Sequence, residues 1–288
     1  MDIAVLAARD SWYYRDLVRA AGERHRLTAI SYKSLGSHVA GASLSIDGGD
    51  LSLNSLDAVL VRSMPPGSLE QVVFRMDALG RLEEAGVRVI NPARAIEAAV
   101  DKYLATAKLQ AAGLLVPPTI VCQTAADGLA ALETLGGDVV VKPLFGGEGR
   151  GITRVSDVAI ARRVFMSLEQ IGAVLYVQKF IPHDGVDWRL LVIGDEVLGM
   201  KRMNHDDWRT NISLGARPAP LEVTVELAQL ARQAAAAVGA TVAGVDLLPA
   251  RDGRLYAIEV NAVPGWRALG EVTGIDVAER VLGLVGGC

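Results

Sequence analysis

The dipeptide Asp252-Gly253, set between two short apolar runs, constrains the fold of this chain more than any other sequence feature. Asp-Gly is a residue pair that tight two-residue β-hairpin turns favour. With these two residues as the turn, Asp246 opposes Glu259 and Gly244 opposes Asn261 on the paired strands. Side chains alternate between the two faces of a strand, so the sequence places these four residues on one face.

The opposite face of the predicted hairpin is apolar. Val245 opposes Val260 and Leu247 opposes Ile258, which is typical of a strand pair packed on a core. A turn of one more residue would shift these pairs by one position. The sequence therefore predicts a hairpin with one polar and one buried face, whose register depends on the length of its turn.

Two carboxylates directly opposite on a hairpin lie about 4.5–5.5 Å apart at Cβ and repel unless a cation lies between them. Asp246, Glu259 and Asn261 offer oxygen ligands without His or Cys, a set that suits Mg²⁺. The alternative interpretation is a solvated polar face without an ion. We favour the metal, because Gly244 leaves open space beside Asn261 and a surface ladder more often alternates its charges.

The N-terminal third of the chain alternates apolar strands with helical segments. Strands are predicted at residues 1–8, 27–32, 56–62 and 87–90, and helices at 10–23 and 69–85. That alternation is typical of a small parallel α/β unit. Asn91-Pro92 ends the unit, since the residue before a proline avoids the helical region.

The remaining chain predicts helices mixed with antiparallel strands. Helices are expected at residues 95–112, 156–168, 222–238 and 276–284, and strands at 139–143, 152–155, 175–180, 187–193, 196–202, 244–249 and 255–261. The loop between strands 139–143 and 152–155 contains Gly146, Gly147, Gly149 and Gly151. Such a loop suits a mobile flap whose backbone N–H groups approach phosphate, although many ordinary hairpins also carry glycines.

Composition excludes several classes of partner. The 29 Lys and Arg against 33 Asp and Glu give a net charge of −4, without the basic excess of a nucleic-acid binder. The longest apolar stretch, residues 234–245, is shorter than the roughly 20 residues that cross a bilayer, so no membrane partner is expected. Two cysteines, Cys122 as a small core residue and Cys288 at a frayed end, form no disulfide framework and predict a cytoplasmic protein.

Four segments, in their order and spacing, give the sequence its resemblance to a known family. They are Asn91-Pro92 with Asp101-Lys102; Lys142-Pro143 with the glycine loop; residues 177–181 with Asp187-Trp188-Arg189; and residues 244–248 with Glu259-Val260-Asn261 and Pro264-Gly265. The chain resembles the ATP-grasp superfamily, and closely the RimK-type carboxylate–amine ligases. The resemblance covers most of the chain and is strongest from residue 91 to residue 265.

The resemblance implies an α/β fold, α+β in part, of the ATP-grasp type with three domains. Residues 1–92 would form a small parallel-sheet α/β domain on the acceptor side. Residues 93–180 would form a central lid domain with the glycine-rich flap. Residues 181–288 would form an antiparallel-sheet domain that holds the metal.

The resemblance also implies roles for single residues. Residues 178–181 would read adenine through their backbone, Asp187 would hold a ribose hydroxyl, and Arg202 would touch the γ-phosphate. The full set expected to bind ATP is Lys102, Lys142, Gly147, Gly149, Gln178, Lys179, Phe180, Ile181, Asp187, Arg202 and Arg209. The expected catalytic residues are Arg202, Lys142 and Asn211. The expected Mg²⁺ ligands are Asp246, Glu259 and Asn261, and Mn²⁺ is expected to substitute.

The implied activity is an ATP- and Mg²⁺-dependent ligation of a carboxylate to an amine through an acyl phosphate. Residues 61–65 and 74–77 resemble the branch that adds L-glutamate to pterin coenzymes, whereas residues 212–216 lack the basic continuation of the ribosomal-protein ligases. Acceptor contacts are expected from Arg62, Arg75, Arg209 and Asn211. The alternatives are a glutamate ligase acting on a protein C-terminus or an amino-group carrier protein, and a non-catalytic nucleotide-binding subunit. A homodimer or homotetramer is expected.

Overall fold

The computed structural model describes residues 1–147 and 149–287. Glu148 in the glycine loop and Cys288, predicted to form a frayed end, lie outside the described residues. One parallel sheet and three antiparallel sheets organise the chain. The mixture of parallel and antiparallel sheets with helices agrees with the predicted α/β class, α+β in part.

The N-terminal unit is built on a four-stranded parallel sheet, as predicted. Its elements are β1 (Asp2–Leu6), α1 (Trp12–Ala21), β2 (Arg26–Ile30), β3 (Leu35–Ala40), β4 (Ser43–Gly48), β5 (Leu51–Ser52), β6 (Ala58–Val61), α2 (Leu69–Glu84) and β7 (Arg88–Ile90). The parallel strands have the order β2-β1-β6-β7. The connections therefore leave β1 and β6 in opposite directions, and the topological switch point lies between the carboxyl ends of these two strands.

A small antiparallel sheet of β3, β4 and β5 is inserted before β6 and was not predicted from the sequence. Residues 36–50 are rich in glycine and serine, which strands disfavour or tolerate weakly, so the alternation of this segment is hard to detect. Ile46 and Leu53 nevertheless fix it to the core, since both side chains are fully enclosed.

The single helix predicted at residues 95–112 is two helices, α3 (Ala93–Val100) and α4 (Lys102–Ala111). Asp101 separates them because it leaves the helical region, with φ −86° and ψ 106°. Its carboxylate accepts hydrogen bonds from the N–H groups of Tyr103 at 2.8 Å and Leu104 at 3.0 Å. An aspartate that satisfies the first N–H groups stabilises a helix start, and this start makes Lys102 the first residue of α4, at the positive end of the helix dipole.

The next unit is a four-stranded antiparallel sheet covered by two helices. It contains β8 (Thr119–Cys122), α5 (Ala125–Thr134), β9 (Val139–Lys142), β10 (Thr153–Val155), α6 (Val158–Gln170) and β11 (Leu175–Lys179), with the strand order β10-β9-β11-β8. The predicted hairpin around the glycine loop is present, with Val141 opposite Thr153. Among the described residues, the apolar core of this unit consists of the unit's own side chains, between Ile120 and Val177. Cys122 is half-buried beside this core.

The C-terminal unit is a five-stranded antiparallel sheet with three helices. It contains β12 (Val186–Ile193), β13 (Glu196–Met203), β14 (Arg217–Pro220), α7 (Val225–Val238), β15 (Val242–Pro249), β16 (Leu255–Asn261), α8 (Arg267–Thr273) and α9 (Val277–Gly286), with the strand order β14-β13-β12-β15-β16. This sheet shares two apolar cores with the N-terminal unit, one containing Leu6 and Val245 and the other Ile3 and Leu191. Within the described part of the chain, every helix is too short or too polar to cross a bilayer.

The predicted hairpin is β15–β16, and its polar pairs are confirmed. Asp246 opposes Glu259 and Gly244 opposes Asn261. The predicted pair of Leu247 with Ile258 is wrong, because Leu247 opposes Ala257. The turn is one residue longer than the predicted two-residue turn of Asp252 and Gly253. Within it, the N–H of Gly253 donates to the carbonyl of Ala250, and Gly253 adopts a φ of +80°.

A β-bulge compensates for that longer turn. The register shifts between Asp246 and Leu247, and Ile258 is the extra residue on β16. A bulge re-aims the side chains on either side of it. Ile258 consequently leaves the core face and lines a cleft together with Glu259. The bulge therefore restores the Asp246–Glu259 pair that the turn alone would have broken.

Asn91 joins the N-terminal unit to the C-terminal sheet. Its side-chain oxygen accepts from the N–H groups of Thr241 at 2.8 Å and Val242 at 2.9 Å. Its side-chain nitrogen donates to the carbonyls of Val242, at 2.7 Å, and Ala262. The Asn91 side chain is buried, so water could not take its place as the hydrogen-bond partner of these backbone groups.

We expect N91A to lower the free energy of unfolding by about 3–5 kcal/mol, because each buried polar group left without a partner costs about 1–3 kcal/mol. Chemical denaturation measures the change. The matched control is N54A, which removes a single bond from the N–H of Ile46 to the Asn54 side chain at 2.6 Å. A loss no larger for N91A than for N54A would contradict this account.

Candidate active site

A cleft lies between the sheet of β8–β11 and the C-terminal sheet. Of the residues predicted to bind ATP, metal or acceptor, those lining it are Lys142, Gln178, Lys179, Phe180, Ile181, Asp187, Arg202, Arg209, Asn211, Asp246 and Glu259. The remaining predicted residues, Lys102, Gly147, Gly149, Asn261, Arg62 and Arg75, are not part of its lining.

Asp246 is the centre of a buried cluster of charges on the C-terminal sheet. Its carboxylate lies 2.8 Å from Nη2 of Arg202 and 2.9 Å from Nε of Arg189. The strand pairing places Arg189 and Glu259 on either side of Asp246 in one row across the sheet. Asp246 is 2% exposed, so almost no solvent screens these interactions.

Arg202 is held from two sides. Its guanidinium makes a two-pronged contact with Asp187, from Nε at 2.7 Å and from Nη2 at 2.5 Å, and the Thr210 hydroxyl donates to the same carboxylate. Burial opposes the charge of Arg202, but Asp246 and Asp187 outweigh it and raise the pKa of the guanidinium. Burial also raises the pKa of Asp187 against the pull of Arg202; we take both groups as charged, because the two-pronged geometry suits an ion pair.

The residues present fit a hard divalent cation on the Asp246–Glu259 face. Oδ1 of Asp246 is buried and, despite the nearby Arg189, has no aligned hydrogen-bond donor among the described residues. Glu259 is half-buried and opposite, and Asn261 holds its side-chain oxygen with a bond from the N–H of Val263 at 2.8 Å. Carboxylate and amide oxygens placed side by side are the ligand set that Mg²⁺ prefers.

Arg189 is the site residue that sequence reasoning missed. The open space predicted at Gly244 is occupied, because a Cβ there would overlap Nη1 of Arg189. Nη1 is itself buried without an aligned acceptor among the described residues. The signal was in the sequence: alternation along β12 places Arg189 on the same face as Asp187, which had been identified as a site residue.

The two predicted phosphate lysines approach the acidic face from the neighbouring elements. Burial lowers the pKa of Lys102, and the charge of Glu259 opposes that change. Burial likewise lowers the pKa of Lys142 to about 8, again against the attraction of Glu259. Lys142 donates to the side-chain oxygen of Gln178 at 2.7 Å. Glu259 therefore lies within electrostatic reach of both ammonium groups.

The Gln178 side chain is bound to neighbouring side chains within the protein. Its side-chain nitrogen donates to Thr119 and to the Tyr176 hydroxyl, both at 2.9 Å, and its oxygen accepts from Lys142. Gln178 has 3% of its surface exposed and orients Lys142 from the protein interior. A buried network in which every member has a partner holds one geometry.

The glycine loop is fixed at both ends to predicted site residues. Lys102 Nζ donates to the carbonyl of Gly146 at 2.5 Å. Gly149 has a φ of +73°, and a Cβ on it would meet the Asn211 side-chain oxygen at 2.6 Å. Gly149 is therefore required both for its backbone conformation and for the close approach of Asn211.

The last residue of β11, Lys179, has a carbonyl whose expected partner in the antiparallel ladder is a proline. Lys179 donates its N–H to the carbonyl of Pro118 at 2.8 Å, and Phe180 donates to the carbonyl of Asp138 at 3.0 Å. In an antiparallel pair the return bond to Lys179 would come from the N–H of residue 118. Proline has no N–H, so the Lys179 carbonyl receives no ladder bond from Pro118.

Arg209, Arg62 and Arg75 lie in different surroundings. Arg209 lines the cleft and pairs with Asp207, at 2.6 Å, which lowers the pKa of that carboxyl. Arg62 donates to the carbonyl of Pro264 at 2.6 Å, whereas Arg75 donates to the carbonyl of Pro65 at 2.8 Å. Arg62 and Arg75, both expected to contact the acceptor, thus have separate partners.

The chain is similar to known proteins over most of its length. A family model described as a RimK-like ATP-grasp domain matches residues 99–285. The tetrahydromethanopterin:alpha-L-glutamate ligase of Methanosarcina acetivorans is 31% identical over 95% of this chain and 94% of its own length. The glutamate–LysW ligase ArgX of Sulfolobus acidocaldarius is 30% identical over 81% of this chain and 83% of its own. The ATP-grasp ligase PsnB, solved with a minimal precursor, Mg and ADP, has a TM-score of 0.77 at 22% identity, over 99% of this chain and 96% of that chain, and shows the same fold.

The lowered pKa of Lys142 predicts how ATP binding depends on pH. The ammonium form attracts phosphate, and with a pKa of about 8 that form is present below pH 8 and lost above it. We expect the Kd for ATP with Mg²⁺, measured by calorimetry, to rise above pH 8 by up to about tenfold per pH unit. The control is K142R, whose guanidinium stays charged, so its profile should be flat over the same range. Identical profiles for the two proteins would contradict the prediction.

Proposed function

We propose, since the chain belongs to the RimK-like ATP-grasp family, that it is an ATP- and Mg²⁺-dependent carboxylate–amine ligase that adds L-glutamate to a small-molecule acceptor of the pterin type. One observation supports the activity most strongly. Asp246, which is buried, opposes Glu259 in the cleft that also presents Lys142 and Arg202. A site with oxygen ligands for a cation and separate cations for phosphate suits a nucleoside triphosphate with its metal.

The reaction needs an activated carboxylate, because a carboxylate anion is a poor electrophile toward an amine. One carboxylate oxygen of the acceptor attacks the γ-phosphorus of ATP, and the bond to ADP breaks. The neutral amine of glutamate then attacks the acyl carbon, the amide bond forms, and phosphate leaves with the acyl C–O electron pair. The proton lost by the amine passes to solvent or phosphate. The protein contributes orientation and charge stabilisation to both steps.

Asp246, Glu259 and Asn261 would hold Mg²⁺, which when bound neutralises charge on the phosphates. Lys102 and Lys142 would bind phosphate oxygens, Lys102 after exchanging the Gly146 carbonyl for phosphate. Arg202 is already held by two carboxylates, so its position is fixed before substrate arrives. Asp187 would then orient Arg202. The part of the Asp187 carboxylate that faces the cleft would be available to bind a ribose hydroxyl.

Arg189 adds a second guanidinium to the reaction centre. Arg189 lies beside Asp246 in the row of paired residues across the sheet. Its Nη1 is buried without an aligned acceptor among the described residues. We include it among the groups that would stabilise the charge of the acyl phosphate. Mn²⁺, which accepts similar oxygen ligands, would substitute for Mg²⁺.

Adenine would bind at the segment after β11. The Lys179 carbonyl, unused by the sheet opposite Pro118, would accept from the exocyclic amine of the base. Ile181, Leu248 and Ile258 supply an apolar surface on the same cleft. Phe180 and Trp208, in edge contact with ring centroids 5.8 Å apart, form another part of the lining.

The glycine loop would act as the flap over the phosphates, with Gly147 and Gly149 offering backbone N–H groups. Asn211 approaches the loop at Gly149 and would contact acceptor and phosphate from there, with Arg209 beside it. Closure excludes water, which would otherwise hydrolyse the acyl phosphate.

A second candidate acceptor is the carboxylate of a carrier protein or of a protein C-terminus. The similarity to the glutamate–LysW ligase favours keeping it, and the resemblance of residues 61–65 and 74–77 to the coenzyme branch favours the pterin acceptor. A non-catalytic nucleotide-binding role predicts loss of metal or phosphate ligands. All of Lys102, Lys142, Asp246, Glu259 and Asn261 are present, which disfavours that role.

A screen for addition of one glutamyl unit tests the function. The protein is incubated with ATP, Mg²⁺, L-glutamate and a panel containing tetrahydromethanopterin, folate and peptides ending in glutamate, and products are read by mass spectrometry. We expect release of ADP and phosphate together with a product heavier by one glutamyl unit on the pterin acceptor. Release of AMP and pyrophosphate would reject the acyl-phosphate chemistry.

The metal assignment is tested best at Glu259, because changing Asp246 also removes a partner of two buried arginines. We expect E259Q to lower kcat by about 100-fold or more, since a neutral amide binds Mg²⁺ weakly, and to raise the Mg²⁺ concentration needed for half activity. Steady-state kinetics at several Mg²⁺ concentrations measure both effects. The control is E271Q on α8, where an exposed pair with Arg267 is lost. Turnover by E259Q equal to that of E271Q would rule the assignment out.

A further inference from the structure

A buried arginine, for which the described residues offer no carboxylate partner, lies where the N-terminal sheet meets the end of the metal hairpin. We propose that Arg62 binds a carboxylate of a substrate, in a subsite that Arg62 forms with Tyr13 and Trp266. The inference rests on the proposed ligase function and deepens it, since it assigns the group that recognises a second, non-reacting carboxylate. We call these three residues the carboxylate subsite.

The position of Arg62 is set by the parallel sheet. β6 ends at Val61, and the N–H groups of Arg62 and Ser63 both donate to the carbonyl of Leu6, at 3.1 Å. Arg62 therefore leaves the sheet between the carboxyl ends of β1 and β6. This is the topological switch point, where open α/β sheets bind their ligands.

The surroundings of Arg62 compensate its charge only in part. The guanidinium carbon lies 4.0 Å from the ring centroid of Trp266 and 5.1 Å from that of Tyr13, and Nη2 donates to the carbonyl of Pro264. Nε is enclosed and has no acceptor among the described residues. Over residues 1–147 and 149–287, no carboxylate forms an ion pair with Arg62, which is 7% exposed.

A buried cation without a counter-ion is unfavourable, and proteins normally pair or hydrogen-bond such groups fully. Two aromatic faces and one carbonyl supply attraction but no negative charge. A carboxylate brought by a substrate would supply it. The close contact with the Trp266 ring also limits the orientations of the guanidinium, which prepares it for a two-pronged contact with a carboxylate.

The carboxylate subsite is joined to the metal face by a short segment of chain. β16 ends at Asn261, a predicted metal ligand, and the next residues lead directly to Pro264 and Trp266. Gly265 lets this segment dock, because a Cβ there would lie 2.5 Å from the Tyr13 hydroxyl. A substrate held by Arg62 would therefore lie next to the reaction centre without occupying the metal ligands.

Arg75, the other arginine predicted for the acceptor, lacks this arrangement. It is equally buried, but its hydrogen bond goes to Pro65 and its ring contact is Tyr32, at 5.2 Å, both within the N-terminal unit. Of these two arginines, Arg62 is the one that contacts the segment after the metal hairpin, so we assign the subsite to Arg62.

Two substrates carry a carboxylate that does not react, the incoming glutamate and the acceptor, and calorimetry separates them. The full chain is saturated with a non-hydrolysable ATP analogue and Mg²⁺ and titrated with L-glutamate in one arm and with tetrahydromethanopterin in the other. L-Glutamine and L-isoglutamine, in which one carboxylate is an amide, identify the group that is held. The variants are R62Q, R62K and the matched control R88Q, which removes another long-range bond from the N-terminal sheet, to the carbonyl of Val285 at 3.0 Å.

We expect R62Q to weaken binding at least about tenfold in one arm and R62K to be intermediate, since the loss is that of a charged two-pronged contact. R88Q should match the wild type, and the affinity for the ATP analogue should stay within about twofold in every variant. If R62Q does not fold, R62K decides the question, because lysine retains the charge but cannot make the two-pronged contact. Wild-type affinity in both arms for the deciding variant, or a wild type that binds neither probe, overturns the proposal.

Failure of the ligase function would be visible separately. In that case the wild type releases no ADP with any acceptor, while the loss of carboxylate binding in R62Q is still measured. Conversely, an active ligase whose R62Q variant binds both carboxylates normally would retain the proposed function and reject the subsite.

Discussion

The site depends on keeping the carboxylate of Asp246 charged inside the protein. Arg189 and Arg202 lie on two sides of it, and Asp187 holds Arg202 from behind. Each charge is thereby compensated by a neighbour on an adjacent strand, and the cost of burying any one is shared by the cluster. Even so, one oxygen of Asp246 has no aligned donor among the described residues. The cluster thus holds the buried carboxylate of Asp246 in one position beside Glu259.

The geometry of that cluster is set by two compensating irregularities in one hairpin. The turn around Gly253 is longer by one residue than a two-residue turn, and the bulge at Ile258 removes the difference. Without the bulge, a slip by one residue would move Glu259 to the apolar face, since side chains alternate along a strand. The bulge also moves Ile258 from the core to the cleft wall, where it adds to the proposed base-binding surface. Backbone pairing and ligand binding are therefore determined by the same residue.

Much of this was predictable because alternation and turn chemistry act locally. The parallel N-terminal sheet, the glycine hairpin and the Asp246–Glu259 pair were all derived from the sequence. Three features were not. The bulge at Ile258 depends on packing against the core, the role of Arg189 depends on strands distant in sequence, and the insertion of β3–β5 has a glycine- and serine-rich sequence with little strand signal. The split of α3 from α4 was detectable, since Asp101 is a good helix-capping residue, but the apolar pattern across it concealed the break.

The separate core of the β8–β11 sheet has a mechanical consequence. The N-terminal unit and the C-terminal sheet share two cores and the Asn91 hydrogen bonds, so they form one rigid body. Among the described residues the β8–β11 sheet has an apolar core of its own, so a rotation of this unit would leave the two shared cores intact. Lys142, Gly147 and Gly149 belong to this unit, whereas Asp246, Arg202 and Arg62 belong to the body formed by the other two. Such a rotation would add the entropy cost of ordering a whole unit to the binding of a nucleotide, while the remaining substrates would meet a surface that is already ordered.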